Sequence, residues 1–288
     1  MGIFSRLSKF GLGNLSEKEI IEDKKPEKVV REPKPEKSPE EIEKEIVFEK
    51  KIKCPVCDLM FPVLKFRPGK VKLIGSDTDL RPKYENADPL KYDAVVCLNC
   101  GYAGLSRYFD KITTRQIKDI KEQIYSNFKG IDHPDFIYSY DDAIARYELA
   151  LASSVVKQAR NSERAYTALK YAWILRGKRE SIGADKSRID EIKDLYMQEL
   201  EGLQVAYDGF TLALAKETAP IAGMDGDTIV YILADLARRL KKYDDASRLL
   251  GNLIVKPGIN QRLKDKALDV KALIVEEKKK INAKEDKE

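Results

Sequence analysis

Two Cys-x-x-Cys hooks, Cys54-Pro-Val-Cys57 and Cys97-Leu-Asn-Cys100, hold all four cysteines of a 288-residue chain and constrain its folding more than any other feature. Each hook lets two thiolates converge on one ion from a tight turn, and two hooks complete the tetrahedron that Zn2+ prefers. The 39 residues between them, 58 to 96, exceed the spacer of common zinc patterns and leave room for one or two hairpins. Gly101 stands directly after the second hook, where a chain turning under its sulfurs often needs positive φ; Asp58 holds that place after the first. A thioredoxin-like redox site would use one hook at the head of a helix, whereas here two hooks stand beside strand-like runs. A reducing cytosol disfavours disulfides. The expectation is a structural Zn2+ held by Cys54, Cys57, Cys97 and Cys100, with iron the minor alternative and no coordination position left for a nucleophilic water.

Composition divides the chain around these hooks. Residues 1 to about 50 mix Pro26, Pro33, Pro35 and Pro39 with 11 basic and 12 acidic side chains, too little apolar surface to offset ordering entropy, so the segment reads as a disordered linker. Its tip, Ile3, Phe4, Leu7 and Phe10, has helical spacing suited to docking on a partner or a membrane surface, against the plainer reading of a frayed terminus. Residues 51–110 show short β-type runs, Met60 to Phe66, Val71 to Ile74 and Tyr92 to Val96, and read as a zinc-ribbon-like domain. With some 60 residues and little core of its own, that segment needs the metal's binding free energy to fold. From 111 to 282 helical periodicity prevails, broken at Gly130 to Pro134, Gly183, Pro220 to Gly226 and Pro257-Gly258, before a frayed tail at 283–288. Thr113 with Gln116, Ser139 with Asp142, and Ser187 with Asp190 place helix starts.

The helical part carries a repeated register: Ala143, Tyr147, Ala150, then Ala206, Phe210, Ala213, then more weakly Ala246, Leu250, Leu253. Small alanines at this spacing let paired helices approach closely, as in the second helix of a tetratricopeptide repeat, although a generic bundle would bury the same stripe. Val230, Leu233, Ala234 and Ala237 suit a first helix; Tyr166, Leu169 and Trp173 suit it less well, because Lys170 stands where a small residue belongs. The spacings of 63 and 40 residues between second helices make the array irregular. The fold class is therefore mainly α, an irregular tetratricopeptide-like array with a small β-rich zinc-ribbon-like segment at its N-terminal side.

Longer strings carry a family resemblance. Cys54-Pro-Val-Cys57-x3-Phe61, Gly75-Ser-Asp-Thr-Asp-Leu-Arg-Pro-Lys-Tyr84, Asp88-Pro-Leu-Lys-Tyr-Asp93, Cys97-x2-Cys100-Gly-Tyr-Ala103 and Arg107-Tyr-Phe109 resemble the bacterial domain-of-unknown-function family 2225. So do Tyr147-Glu-Leu-Ala-Leu151, Ser162-Glu-Arg-Ala165, Ala172-Trp173-Ile-Leu-Arg176 and Gly223-Met-Asp225, so that the resemblance covers roughly residues 45 to 275. It implies a cytoplasmic bacterial protein with zinc-ribbon-like and tetratricopeptide-like parts, and no activity to carry over.

Several function classes drop out. One histidine, His133, rules out metal sites built from several histidines, and its setting, Ile-Asp-His-Pro-Asp, offers no nucleophile motif. No run approaches the apolar length of a membrane helix, and the start lacks a secretory core, so the expected location is cytoplasmic. A net charge of +5 from 53 basic and 48 acidic side chains is no argument for nucleic acid unless the excess gathers on one face. Lys65, Arg67, Lys70 and Lys72 around Phe66 are the candidates for such a face, the alternative being the outside of a hairpin whose buried side is Leu64, Phe66, Val71 and Ile74. Asp77 and Asp79 would share a face in a strand and hold Mg2+ or Ca2+, but in a turn after Gly75 they cap backbone amides instead. The reading is a non-catalytic adaptor whose helix pairs, with exposed positions such as Tyr171 and Arg239, bind a protein or peptide, with nucleic-acid association the alternative and no small-molecule substrate expected.

Overall fold

A computed structural model describes residues 37–67 and 69–285, with the backbone alone at 284 and 285. The N-terminal amphipathic tip lies outside the described residues. Order begins earlier than the composition suggests. Helix α1 (Pro39–Ile46) starts in a capping box, in which the Ser38 hydroxyl accepts from the Glu41 amide at 3.3 Å and the Glu41 carboxylate accepts from the Ser38 amide at 2.8 Å. Strand β1 (Val47–Lys53) follows at once. The expected linker boundary at 50 therefore runs through β1, and the reason is local: Glu43 is buried, taking an ion pair from Lys91 Nζ at 2.8 Å and a hydrogen bond from Tyr92 OH at 2.6 Å. One inward carboxylate fastens a helix that average composition assigns to solvent.

Three antiparallel hairpins make the β-rich part. β1 pairs with β2 (Met60–Phe66) from Val47 opposite Phe66 to Lys53 opposite Met60. β3 (Leu73–Ser76) pairs with β4 (Pro82–Tyr84) across a bulge, and β5 (Ala94–Val96) pairs with β6 (Ala103–Leu105). Met60 to Phe66 is a strand as expected, but the next strand begins at Leu73, and Ile74 is 59% exposed rather than under the hairpin. A single 3-10 turn at Pro89–Tyr92 precedes β5.

The rest is helical: α2 (Thr114–Ile120), one π turn at Lys121–Tyr125, α3 (Tyr140–Val156), α4 (Asn161–Ile182), α5 (Ile189–Lys216), α6 (Gly226–Arg239), α7 (Tyr243–Ile254) and α8 (Gln261–Glu285). The fold is mainly α. Thr113 and Ser139 cap α2 and α3 as expected, both in full capping boxes. Ser187 does not cap: Asp185 accepts from the Ser187 amide and hydroxyl at 2.9 and 2.7 Å, and α5 begins at Ile189 without a side-chain cap. α8 runs three residues past the expected end at 282.

Residue 110 ends a turn and 130–134 is irregular chain, yet the elements from Ser38 onward form one compact unit. One core runs from Leu90, Ala94 and Leu105 through α3 to α7 and on to Ile274 in α8. Tyr147 OH donates to the Leu90 carbonyl at 2.9 Å, and Ser153 Oγ accepts from the Ala103 amide at 3.0 Å, so α3 is bonded to the hairpin it covers. All nine positions of the repeated register on α3, α5 and α7 are buried. Helices α4 and α5 approach closely because Gly209 faces Ala165, where an added Cβ would come within 2.9 Å of the alanine methyl. Lys170, the misfit in the first-helix pattern, pairs with Asp93 of the β-rich part and lies 4.8 Å from the Tyr166 ring centre. Where a repeat would pack another helix, α4 meets the 3-10 turn and its aspartate.

Candidate metal centre

The cysteine hooks are the turns of two hairpins. Between β1 and β2, the Asp58 amide donates to the Cys54 carbonyl at 3.0 Å and the Cys54 amide to the Leu59 carbonyl at 2.9 Å. Between β5 and β6, the Gly101 amide donates to the Cys97 carbonyl at 3.0 Å and the Cys97 amide to the Tyr102 carbonyl at 2.9 Å. The two turns are duplicates. Their pivots are Asp58 at φ 60° and Gly101 at φ 71°, the positive values expected after each hook. Glycine is needed at the second for a further reason, since a Cβ there would lie 2.5 Å from the Phe128 ring.

These turns face one another and bring the four Sγ atoms within 4.8 Å, with Cys54 to Cys100 and Cys57 to Cys97 each at 3.6 Å. Thiolates about 2.3 Å from a central Zn2+ would be about 3.8 Å apart, so the donor set fits a tetrahedral metal. All four cysteines are free thiols, and Cys54, Cys97 and Cys100 are fully buried. Around them pack Val56, Phe61, Val63, Val95, Tyr102, Phe109 and Ile120. Hydrogen bonds from Cys100 and Cys54 pull the Cys97 thiol well below its ordinary value, while bonds to Cys54 and Cys97, with burial, hold the Cys100 thiol far above its own. Four sulfurs this close cannot each keep an ordinary proton, and a divalent cation replaces all the protons at once. The sequence located these four residues together with the reason for their spacing.

Asp77 and Asp79 do something else. Among the described residues neither belongs to a group of carboxylates that could hold Mg2+ or Ca2+; both meet arginines. Asp79, with no exposed surface, accepts from Trp173 Nε1 at 3.0 Å and Arg176 Nη2 at 2.7 Å. Asp77 takes Arg81 Nε at 2.7 Å, Lys83 at 2.8 Å and Arg176 Nη1 at 3.1 Å. The expected amide capping is present at one position, since Asp79 Oδ1 also accepts from the Arg81 amide at 3.3 Å. Between them Thr78 Oγ1 donates to Asp235 at 2.9 Å and accepts from Arg239 Nη2 at 2.8 Å, while Tyr231 OH donates to the Thr78 carbonyl at 2.6 Å. The loop after β3 is thus seated on α4 and α6 by buried charge pairs that also take in Glu199 through Arg176 at 2.7 Å. Arg176, Glu199 and Asp235 were not singled out as partners in the sequence, because nothing local announces a carboxylate 97 positions away.

The two expected partner-binding positions already have partners within the chain. Arg239 is occupied by Asp235, Thr78 and Asp79, and Tyr171 OH donates to Glu148 at 3.1 Å. Of the candidate basic face, Lys72 pairs with Glu85 at 3.7 Å, Arg67 lies 6.0 Å from the Phe48 ring centre, and Phe66 stands edge-on to Tyr92 at 4.8 Å. His133 rests against Tyr138, with Nδ1 3.4 Å from the tyrosine hydroxyl, and burial followed by Arg146 lowers its pKa.

No described helix is long and apolar enough to cross a membrane. Comparison with curated proteins and with solved structures returns no significant match. A family model described as "Uncharacterized protein conserved in bacteria (DUF2225)" matches residues 47–274. That span runs from the first residue of β1 into α8 and includes both hooks and the seated loop, and the chain belongs to this bacterial family.

Proposed function

We propose that this chain is a non-catalytic cytoplasmic scaffold in which a structural Zn2+ locks the β-rich part and an irregular tetratricopeptide-like helical array recognises a protein or peptide. The closed donor set supports the structural role of the metal: four thiolates fill a tetrahedron and leave substrate no position. The observation that carries the partner reading is the pair of exposed apolar steps on α5 and α8. Val205 and Leu212 are 53% and 45% exposed, Leu268 and Val275 are 45% and 49% exposed, and each pair is seven residues apart on one side of its helix. A partner helix or peptide would cover such steps. The nucleic-acid alternative is weaker, because Phe66, which would have to stack on bases, is engaged with Tyr92.

Elemental analysis of protein purified without added metal should return one zinc per chain; iron or no metal would end the zinc assignment. For the partner, Val205→Lys/Leu212→Lys should melt within a few degrees of the parent and lose the proteins that cross-link to the full chain in the native cytosol. If every cross-linked protein is retained by this variant and by Leu268→Lys/Val275→Lys, the surface reading is wrong.

A further inference from the structure

Between the β-rich part and the helices, a cavity of about 570 Å3 opens where the segment after β6, the α3–α4 turn and the α5–α6 turn meet. It falls in the size range of small-molecule sites. Arg107, Lys111 and Arg160 line it, and among the described residues none of the three has a carboxylate partner. The acids close by are engaged: Glu163 with the buried Lys157 at 2.6 Å, and Glu217 with the Ser162 amide at 3.0 Å. Glu163 is itself part of the lining, but with its charge met by Lys157 the three unpaired cations leave the cavity an excess of positive charge.

Two further features give it the character of a built site. Arg107 is held in place, its Nη1 donating to the Ala222 carbonyl at 2.8 Å and its guanidinium 5.4 and 5.5 Å from the Tyr108 and Tyr166 ring centres. Gly223, at φ 79°, makes room for it, since a Cβ there would meet Arg107 Nη2 at 2.3 Å. The Tyr108 hydroxyl is buried and has no hydrogen-bond partner. Burial is the first cause that lifts its pKa to about 12, so it remains a neutral O–H donor at physiological pH. Tyr108 is part of the lining, its orphaned hydroxyl lacks an acceptor in a wall that also holds a fixed guanidinium and two cations without acid partners, and Pro220, Ala222 and Ala159 supply an apolar wall for the rest of a ligand.

We propose that this cavity binds the phosphoryl group of a small phosphorylated molecule, as a bound effector rather than a substrate. Arg107 and the Tyr108 hydroxyl engage the phosphoryl oxygens, and Lys111 and Arg160 close over the charge from the rim. The site is independent of both the metal and the exposed steps of α5 and α8.

Titration calorimetry of the zinc-loaded full chain with pyrophosphate and with adenosine 5′-monophosphate, at constant ionic strength, tests this. At least one probe should bind, and Lys111→Gln/Arg160→Gln should weaken it at least tenfold while metal content and melting temperature stay unchanged, since neither side chain has an ion pair to lose. Tyr108→Phe should weaken binding severalfold without lowering the melting temperature. Equal binding of both probes would locate the recognition in the phosphoryl group alone; tighter binding of the nucleotide would add the apolar wall. Absence of binding by both probes, or binding that the three substitutions leave intact, overturns the proposal.

Discussion

Asp79 shows how much one side chain can decide. Burial pushes its carboxyl up, but Arg176 first and Arg239 second pull it down to about 2 from 3.8. A folded-state pKa below the unfolded one contributes stability above the unfolded value, and that contribution is lost as pH falls toward the folded value. Asp79→Asn, which leaves Arg176 buried with less than its full complement of charge, should cost about 3–5 kcal/mol near neutrality. Denaturant titrations should find the gap between parent and variant full above pH 3.8 and narrowed by roughly 2 kcal/mol near pH 2. Comparing the two proteins cancels the acid lability of the thiolates, which both share. A gap that does not change with pH would mean that Asp79 is not ionised in the fold. The hooks allow a second test at this scale. Cys54→Ser and Cys100→Ser should each release the metal, read by elemental analysis, because each removes one of four donors that share a single ion. Their pivots should part company: Asp58→Gly is tolerated, whereas Gly101→Ala forces a Cβ into Phe128 at 2.5 Å and should reduce metal retention.

At the scale of elements, the seams between helices are set by small residues. Ala206 is fully buried on α5 and Gly209 one turn on touches Ala165 of α4, so the two helices lie as near as their backbones permit. Ala206→Leu should overpack this seam and lower stability by about 1–3 kcal/mol, measured by thermal or chemical denaturation. A cost near zero would mean that the seam relaxes. The two cysteine hairpins obey the same economy of space with different means, since each turns through a pivot of positive φ that returns the first cysteine's amide and carbonyl to the chain beyond the second. Much of this was legible beforehand. The spacing of Cys54 to Cys57 and Cys97 to Cys100, the capping residues Thr113 and Ser139, and the alanine register are local patterns whose physics acts within a turn or two. Helix α1 was not legible, because its decisive residue, Glu43, is fastened by Lys91 and Tyr92 from 48 and 49 positions away. Ser187 misled for a nearer reason: Asp185 takes its amide and hydroxyl before it can cap anything.

At the scale of the whole molecule, the loop after β3 makes the two halves interdependent. Thr78 and Asp79 answer Arg176, Arg239, Asp235 and Trp173, so a fragment from 111 onward would carry buried arginines without their acids. Expressed alone, residues 111–285 should be molten or insoluble, judged by near-ultraviolet circular dichroism and solubility, while residues 38–285 should fold with metal. A fragment that folds cooperatively from 111 would refute this dependence. Removing the metal with a chelator should loosen residues 38–110 first, since their second core is built around the cysteines themselves.

The sequence by itself determined the four cysteines that could hold a metal, the mainly helical second half and the stripe of small residues that packs it, because each rests on spacing along one strand, turn or helix. Only the tertiary structure decided that Asp77 and Asp79 are partners of arginine rather than of a metal ion, that Arg239 is engaged from within, and that Arg107, Lys111 and Arg160 share a cavity whose one lining acid, Glu163, is paired with Lys157. Those are pairings between charges far apart in the chain. Coulombic attraction in a buried setting depends on the distance between groups in space, which periodicity along a single element does not encode.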